Sequence, residues 1–243
     1  MITFDPYEIR ARVIPTLIVL SPTAVIPLAF DMSLSSDWVG SGMVGLTAVA
    51  LLYLGSLVLR FFGKKTERNL WITWGGPPST SVLRPSDPTF PKSTKACICS
   101  CIRSEFEIEL DGLEESHPDW SERVGEAFRL VRQHVRQFDP DGLWYVHSAE
   151  YGALRNFYGA GNLMAALAGL SGVLCAIAWW RYDKAVQAWL FVLCVILTAL
   201  PLAACRWLLP SMLREAALRY AESIWLCFLH SCGGTPVQGG QAK

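Results

Sequence analysis

Polar and apolar positions are segregated along this chain rather than interleaved. Four long runs are almost wholly apolar: 13–30, 38–60, 157–180 and 185–205. No charge interrupts Val13–Phe30 or Trp38–Leu59. A helix rising ~1.5 Å per residue needs about 20 residues to cross a hydrocarbon core of ~30 Å, so each run is at or near spanning length. The runs pair as two hairpins, 13–62 and 157–207. An acidic linker, 31–37, joins the first pair. The turn Arg181-Tyr-Asp-Lys184 joins the second, and Trp179, Trp180, Tyr182 and Trp189 around it fit an interfacial aromatic belt. Between the hairpins lies the polar segment 63–156. The expected fold class is mainly α: a polytopic membrane protein with two transmembrane helical hairpins and an α-rich cytosolic segment between them.

The first run carries Pro15, Pro22 and Pro27. A membrane helix accepts proline when neighbours satisfy the carbonyls it frees, so a kinked helix packed against protein is expected. The second run carries Gly40, Gly42, Gly45, Gly55, Ser41 and Ser56, small residues that let helices approach closely in lipid. In the central segment, Gly75-Gly76-Pro77-Pro78 predicts a turn, and Ser79 or Thr80 a cap for a short helical turn ending before Pro85. A helix is expected over 93–104. Phe106–Leu110 alternates with period two and predicts a short strand or extended arm. An amphipathic helix over 119–138 follows from Trp120, Val124, Phe128, Val131, Val135 and Phe138, and Asp139-Pro140-Asp141-Gly142 ends it. A second amphipathic helix covers 211–230, with Glu215 and Arg219 spaced for an i,i+4 pair. The tail 233–243 is expected to be disordered.

Composition sharpens this picture. The chain is 52% hydrophobic with mean hydropathy +0.31. Only nine of its 21 Lys and Arg and seven of its 21 acids lie outside 63–159. Net charge is zero, so no nucleic-acid partner of the electrostatic kind is expected. Basic residues gather near the N-terminus 1–12, the central segment and the C-terminus, while the first linker has none. By the positive-inside rule both termini are cytoplasmic. The first run reads as a retained anchor rather than a cleaved signal. Of eight cysteines, Cys175, Cys194, Cys205 and Cys227 sit in apolar runs as small hydrophobes, and no secreted disulfide framework is visible.

Two stretches resemble an uncharacterised family of bacterial four-span membrane proteins. One is Trp74-Gly-Gly-Pro-Pro-Ser-Thr80 followed by Leu83-Arg84 and Asp87. The other is Glu150-Tyr-Gly-Ala-Leu-Arg-Asn156 with Gly159 at the third span. The resemblance covers under half of the chain and implies an architecture and a bacterial inner-membrane location, not an activity. The chain departs from the family around Cys97–Cys101, where relatives tend to carry an aromatic and a histidine.

Candidate chemistry is sparse. Arg84, Glu150, Arg155 and Asn156 are the candidates for binding a ligand or lipid headgroup. Against that reading, Arg155 would snorkel to phosphates, Asn156 would cap a helix, and Glu150 would pair with Arg155 or Arg84. Trp74, Gly75, Gly76 and Pro77 read as a structural docking turn; two prolines and the missing GxxxxGK[ST] argue against a phosphate loop. Arg129 and His134 have the Rx4H spacing of a HEPN-type ribonuclease, but stand roughly 140° apart on a helix. Cys97, Cys99 and Cys101 are weak metal candidates, with His117 the nearest further ligand. No catalytic set, resident metal or cofactor is legible. The absence of Asp, Glu, Lys, Arg and His inside the spans argues against an ion-coupled transporter. The expected function is that of a non-enzymatic oligomeric membrane effector or signalling scaffold, with a pore-forming, stress- or defence-linked role as one version. Its partners would be membrane lipid, further copies of itself, and a cytosolic protein or small-molecule signal. The alternative is a membrane-embedded enzyme acting on lipid headgroups or RNA at the cytosolic face.

Overall fold

The computed structural model describes residues 6–30, 42–110, 119–182 and 185–233, and of 42–46 the backbone alone. The linker 31–37, Gly40, Ser41, His117, Pro118, Lys184 and the tail beyond Gly233 lie outside the described residues. The described chain is mainly helical, with no strand among its elements. Its helices are α1 (Pro6–Ala29), α2 (Gly42–Thr73), α3 (Pro78–Ser81), α4 (Lys92–Phe106), α5 (Trp120–Phe138), α6 (Leu143–Tyr182), α7 (Ala185–Ala203) and α8 (Leu209–Ser231). Four stretches, Pro6–Ala29, Thr47–Ser81, Leu143–Tyr182 and Ala185–Ser231, are long and apolar enough to cross a membrane. Their outward side chains are large and apolar: Trp180, Trp189 and Trp207 are each more than 70% exposed, a surface suited to lipid and costly in water.

The helices overrun the polar–apolar boundaries of the sequence. α6 begins at Leu143 rather than near 157, and α2 continues to Thr73. A helix satisfies its own backbone in water and in lipid alike, so a change of surroundings alters the side chains and not the helix. The chain divides into two compact units, Met1–Arg68 with Gly152–Leu213, and Asn69–Tyr151 with Arg214–Lys243.

The first unit is built around an irregular α1. A π turn occupies Ile9–Val13, immediately before Ile14-Pro15, and a 3-10 turn Ser21–Ala24 contains Pro22. Two of the freed carbonyls have side-chain donors, one from another helix and one from α1 itself. Pro15 cannot donate to the Ala11 carbonyl; Asn156 Nδ2 does so at 2.8 Å. Pro22 cannot donate to the Ile18 carbonyl; Ser21 Oγ does so at 2.8 Å. At the far end, Gln187 Nε2 donates to the Ala29 carbonyl at 3.3 Å. Val19, Leu59, Ala160 and Met164 form one buried cluster of this unit, and Val25, Ala29, Cys175, Ala178 and Cys194 another.

α2 and α6 touch backbone to backbone. A methyl placed on Gly159 would stand 2.6 Å from both the Cα and the N of Gly63. The spans' cysteines act as small fillers against glycines of α6. Cys194 Cβ lies 3.3 Å from a methyl placed on Gly172, and Cys205 Sγ would collide with one on Gly161.

The second unit has its own core, in which α4 contributes Ile98 and Ile102, α5 Val124, Val131 and Val135, and α8 Trp225 and Phe228. The C-terminal helix, expected over 211–230 and found over Leu209–Ser231, is a core element of this unit. Its Arg219 reaches Glu150 at 3.1 Å rather than serving the expected Glu215 pair. Phe138, expected on the buried stripe of α5, is 51% exposed and stacks on His134 instead. Of the short strand or extended arm expected over 106–110, the strand is not formed, and 107–110 are irregular. Phe106 ends α4, and Glu107 takes a left-handed φ of 58° while its N–H caps the Arg103 carbonyl at 3.1 Å. Charged residues at alternate positions mimic a strand period when they only alternate around a helix end.

The glycine contact yields a direct expectation. Gly159→Ala should lower detergent-solubilised thermal stability by about 1–3 kcal/mol, since the methyl must displace backbone. Gly169→Ala, where nothing lies within 4 Å, should be neutral or slightly stabilising. Equal melting of the two variants would contradict the packing described.

Candidate functional site

The residues 150–159 do one job in several places. Gly152, Asn156 and Gly159 fall at i, i+4 and i+7, on one face of α6. Gly152 lies against Tyr7 and Ala11 of α1, with a methyl there 3.3 Å from each. Asn156 is 2% exposed and holds the Ala11 carbonyl, while its Oδ1 rests against Gly63, 2.6 Å from a methyl placed there. On α2, Gly55, Leu59, Gly63 and Glu67 recur every four residues along the complementary face. Gly55 receives the Thr16 methyl, which stands 2.9 Å from a β-carbon built there.

Arg155 turns the other way, to Glu67. Its Nη1 stands 3.5 Å from Glu67 Oε2, with the two side chains 16% and 11% exposed. Glu67 is the one acid within the basic run Lys64, Lys65, Arg68, and it is the member that is buried. The interfacial readings are thereby corrected. Asn156 lies well inside α6 and caps nothing, and the Arg155 guanidinium is directed at a buried carboxylate rather than at phosphates. Glu150 pairs with Arg219 and lies 3.7 Å from His147 Nδ1, not with Arg155 or Arg84.

In the second unit the Trp74–Thr80 stretch is a turn built on positive φ, 77° at Gly75 and 131° at Gly76, where a side chain would be strained. Arg84 Nη2 donates to the Gly75 carbonyl at 2.6 Å, and its guanidinium lies 5.8 Å from the Trp120 ring centre. The fully buried Trp225 donates its indole N–H to the Ser79 carbonyl at 3.1 Å. Arg84 and Trp225 thus hold the turn from two sides. The expected Ser79 or Thr80 cap is absent: Thr80 Oγ1 donates to the Pro77 carbonyl at 2.9 Å, and α3 starts without a side-chain cap.

Sequence reasoning passed over Lys95, which is 7% exposed and whose ammonium donates to the carbonyls of Arg84 and Asp87. Its signal was available: Lys95, Ile98 and Ile102 share a helix face, so a lysine sits on the buried stripe.

Arg129 is exposed on α5. His134 is enclosed by Phe106, Phe138 and Phe228, and its Nε2 lies 3.1 Å from Ser231 Oγ. That hydroxyl already donates to the Phe228 carbonyl at 2.7 Å, so the imidazole bonds to it as a donor. A ring nitrogen that donates to the serine hydroxyl is not placed to take that hydroxyl's proton and activate it.

The three central cysteines diverge on α4. Cys97 is exposed, while Cys99 and Cys101 pack on the core. Burial first, and then a hydrogen bond with Cys232, pushes the Cys101 thiol up to about 12. Among the described residues no three His, Cys, Asp or Glu side chains gather as a metal set.

Fold and site together define a multi-helix chain with four membrane-spanning candidates and a separately cored helical unit. Compared with known proteins, the chain matches no family model, no curated protein and no solved structure.

Two expectations follow from these contacts. Arg155→Leu alone should cost about 3–5 kcal/mol, because it strands a buried carboxylate. The double variant Glu67→Leu, Arg155→Leu should cost clearly less than the sum of the single changes, as read by thermal melting of all three. Additive losses would show that the two side chains are not coupled. Separately, a maleimide pulse near neutral pH should modify Cys97 well before Cys101. The raised Cys101 pKa keeps its thiolate fraction negligible there, so its labelling should accelerate steadily as pH rises. Mass analysis of peptides reads both rates; equal rates would contradict the burial of Cys101.

Proposed function

We propose that the chain is a multi-pass bacterial inner-membrane protein that works without a reaction of its own, as an oligomeric effector or signalling scaffold. The observation that carries this is the use made of its most motif-like residues. Asn156 serves the Ala11 carbonyl, Arg155 serves Glu67, and Gly159 serves the backbone of Gly63. Residues that could have bound a substrate are occupied in holding helices. The alternative, an enzyme acting on lipid headgroups or RNA, would draw on Arg84, Glu150, Arg155 and the Arg129/His134 pair; all but the exposed Arg129 are engaged in structural contacts.

In this reading 13–62 and 157–207 form two hairpins in the membrane, and the polar segment and both termini face the cytoplasm. The distribution of Lys and Arg and the resemblance to four-span bacterial proteins support that orientation. The second unit, with its own core, would receive the cytosolic signal or partner. The broad apolar exteriors of the four long helices offer surface for further copies.

Two measurements test the proposal. A cysteine introduced at position 35 should label with impermeant reagent in intact spheroplasts, and one at position 112 only after lysis; the reverse pattern would overturn the orientation. Overexpression with a membrane-potential dye should show depolarisation once the activating signal is supplied. Full insertion with unchanged polarisation would remove the permeabilising version and leave a scaffold.

A further inference from the structure

The first unit contains a crevice of ≈ 470 Å³ between α1 and α2, within the range of small-ligand sites. Its walls are apolar, with Val13 on one side and Val49 and Leu52 on the other. Its charged lining residues are Glu8, Arg12 and Arg60. With Thr16 against Gly55 and Asn156 joining Ala11 to Gly63, α1 and α2 run antiparallel and Arg12 falls level with Arg60 at one end. Arg12 Nη1 meets the Glu8 carboxylate one helical turn away. Arg60 is half-buried, with no ion-pair partner among the described residues. Two cations against one anion leave that end net positive, while the rest of the crevice offers no charge.

The dimensions are those of one leaflet. From Arg60 to Val49 is 11 residues of α2, ~16 Å at helical rise, about half of a ~30 Å hydrocarbon core. The only hydroxyl of the α2 wall apart from Tyr53 is Ser56, and it donates to the Tyr53 carbonyl at 2.7 Å, so it asks nothing of an occupant. Val49, Tyr53 and Leu57 are exposed, which opens the crevice sideways to the bilayer rather than to water.

We propose that this crevice binds an anionic glycerophospholipid of the surrounding bilayer, with its phosphate at Arg60 and Arg12 and one acyl chain along Val49, Leu52 and Val13. A guanidinium offers a planar set of donors suited to phosphate oxygens, and Arg12 uses one nitrogen on Glu8 and keeps others to give. The headgroup site is therefore not Arg155, which faces Glu67, but the pair of arginines one helix away. The proposal rests on the membrane reading above.

The test uses the full chain reconstituted into nanodiscs of equal parts phosphatidylglycerol and phosphatidylethanolamine, then extracted and examined by native mass spectrometry. The expected result is a retained lipid strongly enriched in phosphatidylglycerol. Arg60→Gln and Arg12→Gln should each reduce that enrichment about fivefold. Leu52→Trp should fill the crevice and displace the lipid with both arginines in place. Retained lipid in bulk proportion, or none on the wild-type chain, would overturn the site whether or not any variant folds. So would a dimer that Leu52→Trp dissociates, since a second copy would then occupy the crevice. Failure of the chain to enter nanodiscs, with recovery in a carbonate-washed soluble fraction, would instead bring down the membrane reading itself.

Discussion

The first unit depends on one hydrogen-bond acceptor, the carbonyl of Ala11. Pro15 removes the amide that would have served it in α-helical register, and the π turn over Ile9–Val13 shifts the local ladder. Where water is scarce an unserved carbonyl costs several kcal/mol, so a side chain must supply the donor. The Asn156 amide does so from α6, at 2.8 Å and 2% exposure. It can get there only because Gly152 lets α1 come close and because Gly63 and Gly159 let α2 meet α6. One proline in α1 thus fixes the identity of residues in two other helices. The same device recurs at the other end of α1, where Gln187 serves Ala29.

The second unit solves a different problem. It can bury a solvent-shielded core of its own, and its polar fixtures secure a turn rather than a helix crossing. Gly75 and Gly76 hold backbone that other residues resist, and Arg84, Trp225 and Lys95 bond the carbonyls exposed around the turn. In both units a side chain distant in sequence donates to a main-chain carbonyl, Asn156 to Ala11 in one and Trp225 to Ser79 in the other. The two motif stretches are therefore alike in physical kind though they sit in different units. Glu150, paired with Arg219, belongs to one unit, and Arg155, paired with Glu67, to the other, so the Glu150–Asn156 stretch is divided by the unit boundary.

Much of the architecture was legible because it rests on averages over many residues. Apolar runs located the four long helices, and the three-and-four spacing of Trp120, Val124, Phe128, Val131 and Val135 located the buried face of α5. Proline within an apolar run implied neighbours serving its carbonyls, and at Pro15 Asn156 of another helix does so, while at Pro22 the donor is Ser21 of the same helix. What was not legible depends on single pairings distant in sequence. That Asn156 would meet Ala11, 145 residues away, follows from no local pattern. The partners expected for Glu150 and Arg219 differ from those found for the same reason, since neither the near neighbours Arg155 and Glu215 nor the distant Arg84 is the partner that folding supplies. Of the short strand or extended arm expected at Phe106–Leu110, the strand is not formed: Phe106 closes a helix and 107–110 are irregular, a distinction five residues of alternation cannot make.

Glu67 and Lys95 show how far local reading could have gone. Each is the residue of unexpected charge on its helix: an acid among bases, and a lysine on a stripe with Ile98 and Ile102. A charge in such a place is expensive unless a partner is guaranteed, so its presence implies a buried acceptor or counter-ion even before the partner is known. Arg60 is the converse case. It stands at the edge of an apolar run, half-buried, with the crevice wall below it and no ion-pair partner among the described residues. Its burial is less than that of Glu67, so an anion there is not obligatory, but a half-buried guanidinium beside an apolar wall gains from one. In a bilayer the anion at hand is a phosphate that arrives with its own acyl chain.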